Sequence, residues 1–432
     1  PDAVCPVSRY HSGVLHHGSI MLNRLKDTYH SFPRLFWVVV MVSFIDRLGG
    51  NMLFPFFSLY ITDHFNVGMT QAGFFLGTMS AFGLIGNMIG GGLTDKFGRK
   101  NIIIGGLIFS ALSTLTLGLV DEFSLMIPLA VFIGLLSRLA GPAHQAMVAD
   151  ILPEEKRQEG FGILRVLANL TWIIGPIVGG FIANRSFFAL FVIDAVVSCL
   201  VAFLVFLKIP ETKPETGQEA ESLFNTFKGY GTVIKDYAYI VFMVVSMLML
   251  LVYLQMYNTL SVFLRDVHGI SPQIYGVVMT SSAITVILFQ FYTTRVIKNR
   301  PPFLMMALGT FFYMLGFGMF GFVATNWLFA MALVVITIGE MIVMPTSQAL
   351  AANFAPEDMR GRYLALFGLA WSIPSIIGPS ASGMILDNFN PFLIWYLDAG
   401  IAAVAVGGFY LLHLWLGKRE MFRPRATSEV SA

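Results

Sequence analysis

Apolar stretches of roughly the ~20 residues that a bilayer-crossing helix needs recur twelve times along the chain, broken by short polar turns. The pattern predicts spans at 35–62, 70–94, 101–120, 125–150, 160–183, 187–207, 238–264, 271–294, 302–323, 326–351, 361–386 and 391–416. The gap between the sixth and seventh spans, 208–236, is the longest polar interruption between them. It divides the chain into a tail (1–34), a six-helix bundle (35–207), a linker (208–236), a second six-helix bundle (237–417) and a second tail (418–432). The first part of the linker is rich in Pro, Glu and Thr and reads as a flexible tether. From Ser222, the spacing of Leu223, Phe224, Phe227, Tyr230 and Ile234 suits either a short amphipathic helix on the membrane surface or an extension of the seventh span.

The two bundles are copies of one plan. Gln145, Ala146, Ala149, Pro153, Glu154, Arg157, Gly175, Pro176 and Gly180 recur 203 positions later as Gln348, Ala349, Ala352, Pro356, Glu357, Arg360, Gly378, Pro379 and Gly383. Such a repeat in a hydrophobic chain predicts an all-α integral membrane protein of two pseudo-symmetric halves with a site between them. The copies also differ: Asp150 becomes Asn353, and Arg165 becomes Gly368.

Composition agrees with a membrane setting, since 12% of the 432 residues are charged and 56% hydrophobic, against about 25% charged in soluble domains. Of 27 Lys and Arg residues, Arg185 and Arg265 fall on outward turns and Arg47, Arg138 and Arg165 inside spans; all the others lie on the opposite side. The positive-inside rule therefore predicts both termini cytoplasmic and a multi-pass protein of the plasma, or bacterial inner, membrane. Residues 1–20 are polar and lack the apolar core of a signal peptide. Cys5 and Cys199 form neither a disulfide framework nor a metal site. No metal, cofactor, nucleic-acid or enzymatic constellation is visible.

The most specific local signal is the turn after the second span, Gly91-Gly92-Leu93-Thr94-Asp95-Lys96-Phe97-Gly98-Arg99-Lys100. Its glycines permit a tight interhelical turn, and Asp95 ends a helix beside cations. A phosphate-binding loop is a poor fit, because no strand precedes the turn and no Gly-Lys-Ser/Thr follows it. The turn resembles the signature that the major facilitator superfamily carries between its second and third helices. That resemblance covers residues 30–418 and implies alternating access by two six-helix halves. It also implies that Asp150 and Arg157 partner the turn Gly91, Asp95, Gly98, Arg99 and Lys100 as a cytoplasmic gate.

A second motif, Gly175-Pro176-Ile177-Val178-Gly179-Gly180, resembles the antiporter motif of the twelve-span drug:proton antiporters, with Thr171 where that family places a first glycine. Pro176 removes a backbone donor, and the small residues allow a neighbouring helix to close in; generic helix packing is the competing account. The family's fourth-helix arginine position falls at Ala130, and an arginine stands deeper, at Arg138.

Each charge inside a span costs roughly 2.5–3.5 kcal/mol at the bilayer centre and needs a partner or a wet cavity. Asp194 and Asp398 correspond within one residue in the repeat and read as capping residues. Asp46 and Arg47 are adjacent and point about 100° apart, so Asp46 is expected to pair with Arg138 or Arg165. Arg165, Asn169 and Trp172 share one face of the fifth span and suit a cavity wall. Glu340 lies mid-span in a half without interior cations, where desolvation disfavours its charged form. It is the first candidate for proton coupling and Asp46 the second, a neutral hydrogen-bonded Glu being the alternative. Tyr253, Gln255, Tyr257, Asn258, Met344, Trp371 and Ser375 complete an expected cavity that is aromatic and Met-rich, a lining adapted to amphiphilic ligands and to cations over ring faces. These readings together predict a monomeric, proton-coupled exporter of amphiphilic small molecules. An importer or facilitator of a specific metabolite, and a non-transporting receptor or scaffold, are the competing expectations.

Overall fold

The computed structural model describes residues 29–212, 233–356, 359–419 and 422, without the side chains of Gly91, Asp95, Gln158, Arg360 and Gly361. The expected helix from Ser222, most of the N-terminal tail and Glu357 lie outside the described residues. Among the described residues there are fifteen α-helices, and all but α10 build the twelve spans: α1 (Arg34–Leu53), α2 (Phe57–His64), α3 (Met69–Phe97), α4 (Arg99–Leu119), α5 (Phe123–Ser137), α6 (Ala140–Ile151), α7 (Glu154–Ala183), α8 (Phe187–Lys208), α9 (Tyr237–Asn258), α10 (Leu260–His268), α11 (Pro272–Ile297), α12 (Pro302–Met319), α13 (Asn326–Phe354), α14 (Arg360–Asn388) and α15 (Leu393–Leu416). No strand occurs among the described residues.

Spans outnumbered by helices reflect local breaks that hydropathy does not register. Pro55 introduces a 3-10 turn, Phe54–Phe56, between α1 and α2. The fourth span, expected unbroken, divides at Arg138 and Leu139. Pro142 offers no N–H to the Arg138 carbonyl, which instead accepts from Gly141 N at 3.4 Å. The seventh span ends at Asn258, short of the expected 264, and the chain continues past Thr259 as the separate α10.

We call the end of the bundle where α1 begins and α15 finishes the terminal end, and the opposite end distal. Within one half α1 packs on α7, α3 on α5 and α4 on α8; within the other, α12 packs on α13 and α15. The halves meet along two seams, α3 against α14 and α7 against α11. Both seams tighten at the distal end because glycines let backbones touch. A Cβ at Gly73 would strike the Pro379 carbonyl, one at Gly77 the Ile376 carbonyl, and one at Gly276 would stand 2.6 Å from Pro176 O and 3.3 Å from Gly180 Cα. Toward the terminal end α3 also packs on the fourth span, where Gly86 meets Leu135 and Gly90 meets Leu139.

Candidate functional site

Glu340 sits halfway along α13, half-buried, and accepts a hydrogen bond from Tyr253 Oη at 2.9 Å. Tyr253 and Tyr257 are four residues apart on α9 and so share a face; their hydroxyls lie 3.1 Å apart. With the Tyr253 proton committed to Glu340, Tyr257 is the donor of that second bond. Gly339 brings α12 against α13, because a Cβ there would meet the Gly309 carbonyl and Tyr313 Cδ1. Tyr313 therefore stacks on Tyr253, with centroids 5.6 Å apart and planes at 22°, and its buried hydroxyl has no partner. Trp371 from α14 meets Tyr253 edge-on at 6.1 Å. Among the described residues Glu340 has no salt-bridge partner.

This aromatic box reaches the other half. Trp172 of α7 lies 5.0 Å from Tyr257, and Phe54 lies 5.8 Å from Trp172 and 6.4 Å from Tyr257. Carboxylate, phenols and indoles thus converge where the two halves meet, an arrangement that offers a cation both a counter-charge and ring faces. Met344, one turn from Glu340 on α13, and Ser375, one turn from Trp371 on α14, are part-buried, although the Ser375 hydroxyl is spent on Trp371 O at 2.8 Å. Gln255 and Asn258 depart from expectation. Gln255 is 3% exposed and accepts from Thr259 Oγ1, which is also bonded to Ser382 of α14. Gln255 faces the α9–α14 packing rather than the box, and Asn258 is buried one turn further along α9.

The charges of the first half are arranged differently from the expected ion pair. Asp46 has no salt-bridge partner among the described residues and pairs with neither Arg138 nor Arg165. Gly49, on the same face of α1 one turn along, leaves space for Asp194, whose Oδ1 would lie 2.8 Å from a Cβ there. Asp194 is held by Thr114 Oγ1 at 2.9 Å, so it links helices instead of capping one. Asp398 is 2% exposed with Oδ2 unpartnered, and it caps nothing either. The Arg138 stem lies against Gly83. Arg165, Asn169 and Trp172 all lie on an exposed face of α7, and Arg165 Nη1 reaches across the halves to Gln348 Oε1 at 3.2 Å. Arg47 is exposed.

At the terminal end, Arg99 Nε donates to Asp150 Oδ2 at 3.1 Å. Arg157 is not a partner of this pair; its Nε donates to Ala149 O and Leu152 O within its own turn. Its place is taken by linker residues that the sequence reading passed over. Glu211 accepts from Arg99 N at 2.8 Å and Lys100 N at 3.1 Å, capping α4, and Thr212 Oγ1 donates to Asp150 at 3.2 Å. Gly98 adopts φ +90° with the Glu211 carboxylate where a Cβ would stand, so the motif glycine serves both conformation and cap. Lys100 Nζ donates to Phe206 O. The side chains of Gly91 and Asp95 lie outside the described residues. In the other motif, Gly175 and Gly179 abut Asn51 and Met52 of α1, Gly180 and Pro176 abut Gly276 of α11, and Asn51 Nδ2 donates to Thr171 at 2.8 Å.

A family model described as Major Facilitator Superfamily matches residues 39–379 and, in a second placement, 245–431. The chain belongs to the Major Facilitator Superfamily. It is 25% identical over 400 residues to the "Na(+), Li(+), K(+)/H(+) antiporter" of Planococcus maritimus, covering 84% of this chain and 91% of that one. It is also 25% identical over 372 residues to the "Quinolone resistance protein NorA" of Staphylococcus aureus strain MSSA476, covering 84% and 92%. Among solved structures, the nucleoside transporter NupG superposes with a TM-score of 0.76 over 88% of this chain and 100% of that one, at 15% identity; that likeness concerns fold alone. The superfamily member is a multi-pass membrane transporter, not an enzyme.

Proposed function

We propose that the chain is a proton-coupled exporter of amphiphilic, preferentially cationic small molecules. The observation that carries this reading is the Glu340 carboxyl, held by a tyrosine hydroxyl inside an aromatic box contributed by both halves and without a cationic partner among the described residues. A cationic ligand and a proton compete for such a group. When the box is dry and empty, the neutral acid is the cheaper form to bury. A bound organic cation supplies the missing counter-charge and lies on ring faces. Exchange of one for the other as access alternates is antiport. The names of the Planococcus antiporter and of the quinolone resistance protein support an exchange of this kind. Asp46, facing Asp194 in the first half, is the secondary coupling group. The terminal end is cytoplasmic, in line with the distribution of Lys and Arg, and the Arg99–Asp150 turn gates that side. The transporter works as a monomer in the plasma membrane.

The test uses proteoliposomes with an imposed pH gradient and a fluorescent organic cation. Glu340→Gln is expected to reduce gradient-driven transport to the leak rate while leaving the protein folded. Asp46→Asn is expected to weaken coupling without abolishing dye binding. Gradient-driven transport at the native rate by the double variant would sink the assignment.

A further inference from the structure

The distal end of α3 is capped by a residue of the other half. Gly68, the N-cap position, has no side chain, and Gln71 Oε1 satisfies only the Gly68 N–H, at 3.2 Å. The next two amides are free of any cap from their own half, yet a helix start needs acceptors for its first N–H groups. Asp387, the second-last residue of α14, supplies them. Its Oδ1 accepts from Met69 N at 2.9 Å, and its Oδ2 accepts from Thr70 N at 2.7 Å and Thr70 Oγ1 at 2.6 Å. A Cβ at position 68 would collide with Asp387 Oδ2. The carboxylate thus occupies the place that a serine or aspartate side chain fills at an ordinary N-cap, and it sits at the positive end of a 29-residue helix.

At the second seam no helix is capped from the other half among the described residues, although beside it Arg265 Nη1 of α10 donates to Leu59 O of α2 at 3.3 Å and stands 3.9 Å from Asp63. There α11 is capped from within its own half, Ser271 Oγ accepting from Ile274 N at 3.4 Å. The cross-seam bond from Asn184 Nδ2 to Gln273 Oε1 is neutral and 3.5 Å long. Separating α7 from α11 therefore strips no helix of its cap. Separating α3 from α14 exposes two amides and a carboxylate at once.

We propose that Asp387 is the latch of the distal gate, a positioning residue that caps α3 from the other half only while the distal end is closed, and so sets how often that end opens. Gly68 is part of the latch because any side chain there expels the carboxylate. Distal opening then starts at the α7–α11 seam, where no helix loses a cap, and is completed when the Asp387 cap breaks.

Spin-label distance measurements on the full chain in nanodiscs test this, with Cys5 and Cys199 replaced by alanine. One label pair, at Glu122 and Ala324, reads the distal turns; a second, at Glu155 and Arg300, reads the terminal turns. Asp387→Ala is expected to raise the ratio of distal-open to distal-closed molecules about tenfold, the effect of losing charge-assisted bonds worth ~1.4 kcal/mol. The terminal pair should shorten in the same sample, which general loosening would not produce. Asp387→Asn, whose amide oxygen still accepts, should fall between Ala and the native residue. If Asp387→Ala does not fold, Gly68→Ala reads the same latch. Native distance distributions in whichever of these variants folds would overturn the proposal, as would broadening of both pairs without the reciprocal shift.

Discussion

Substituting Gly276 by alanine should open the distal end for purely steric reasons. The added Cβ would stand 2.6 Å from the Pro176 carbonyl oxygen and 3.3 Å from Gly180 Cα. Both are backbone atoms, so no side-chain rotation relieves the contact; α7 and α11 must separate by several tenths of an ångström. Overpacking of this kind costs about 1–3 kcal/mol. The cost falls only on conformations in which the two helices touch, so it enters the gating equilibrium in full. At 1.4 kcal/mol per decade, the distal-open population should rise by roughly 5- to 150-fold relative to the closed one. The assay is the alkylation rate, in the purified protein, of a cysteine at Gln273, which sits on the seam opposite Asn184. Gly407→Ala is the control, since nothing lies within 4 Å of a Cβ there. An alkylation rate in Gly276→Ala within twofold of the native one would refute the reasoning, as would an equal rise in the Gly407→Ala control.

Further outcomes follow from other contacts. Trp172→Ala and Tyr257→Ala each remove a ring from the Glu340 box and should weaken organic-cation binding by about 0.5–2 kcal/mol, up to thirtyfold in Kd by calorimetry; neutral amphiphiles should lose less. Gly98→Ala forces a Cβ onto φ +90° and into the Glu211 carboxylate; it should cost at least ~1–2 kcal/mol and expose the terminal turn to protease. His268, in α10 outside the membrane spans, has an imidazole whose pKa burial holds below the ordinary 6.5. Its Nε2 is buried without a partner. Since the unfolded chain takes up the proton first, this residue's contribution to stability is present above pH 6.5 and is lost as pH falls below it. A His268→Gln variant should flatten that part of the melting-temperature profile measured from pH 7 to pH 5.

The membrane architecture was legible because hydropathy and the 203-residue repeat act over whole spans, and lipid leaves the backbone no alternative to helix. The breaks at Pro55, Arg138 and Thr259 were not, because each depends on one or two hydrogen bonds inside an unchanged apolar run. Glu340, Tyr253, Tyr257, Trp172 and Trp371 could be assembled from sequence, since polar or aromatic residues mid-span are conspicuous there. Tyr313 and Phe54 were missed among many aromatics. The available clue was Gly339 beside Glu340 with Gly309 four residues before Tyr313, a pairing that matters only once α12 and α13 are known to touch. The expected Asp46 ion pair failed because charge alone says nothing of which face a helix turns to which neighbour; Gly49 turns that face to Asp194. Glu211 and Asp387 were invisible for a related reason. Both cap helices distant in sequence, and a lone acid on a polar turn looks like any other solvated residue.

The linker is moored at each end by an acid. Glu211 caps α4 of the half it leaves, and Asp236 caps α9 of the half it enters, accepting from Tyr239 N at 3.1 Å and from the Tyr363 hydroxyl at 3.1 Å. Neither mooring crosses between the halves. A cut anywhere between residues 212 and 233 would leave every contact among the described residues in place and remove the covalent tether, with the effective concentration it confers. The two six-helix units are in this sense a heterodimer written as one chain, and co-expressed as separate polypeptides they should find each other through the contacts between the halves, chiefly the α3–α14 and α7–α11 seams.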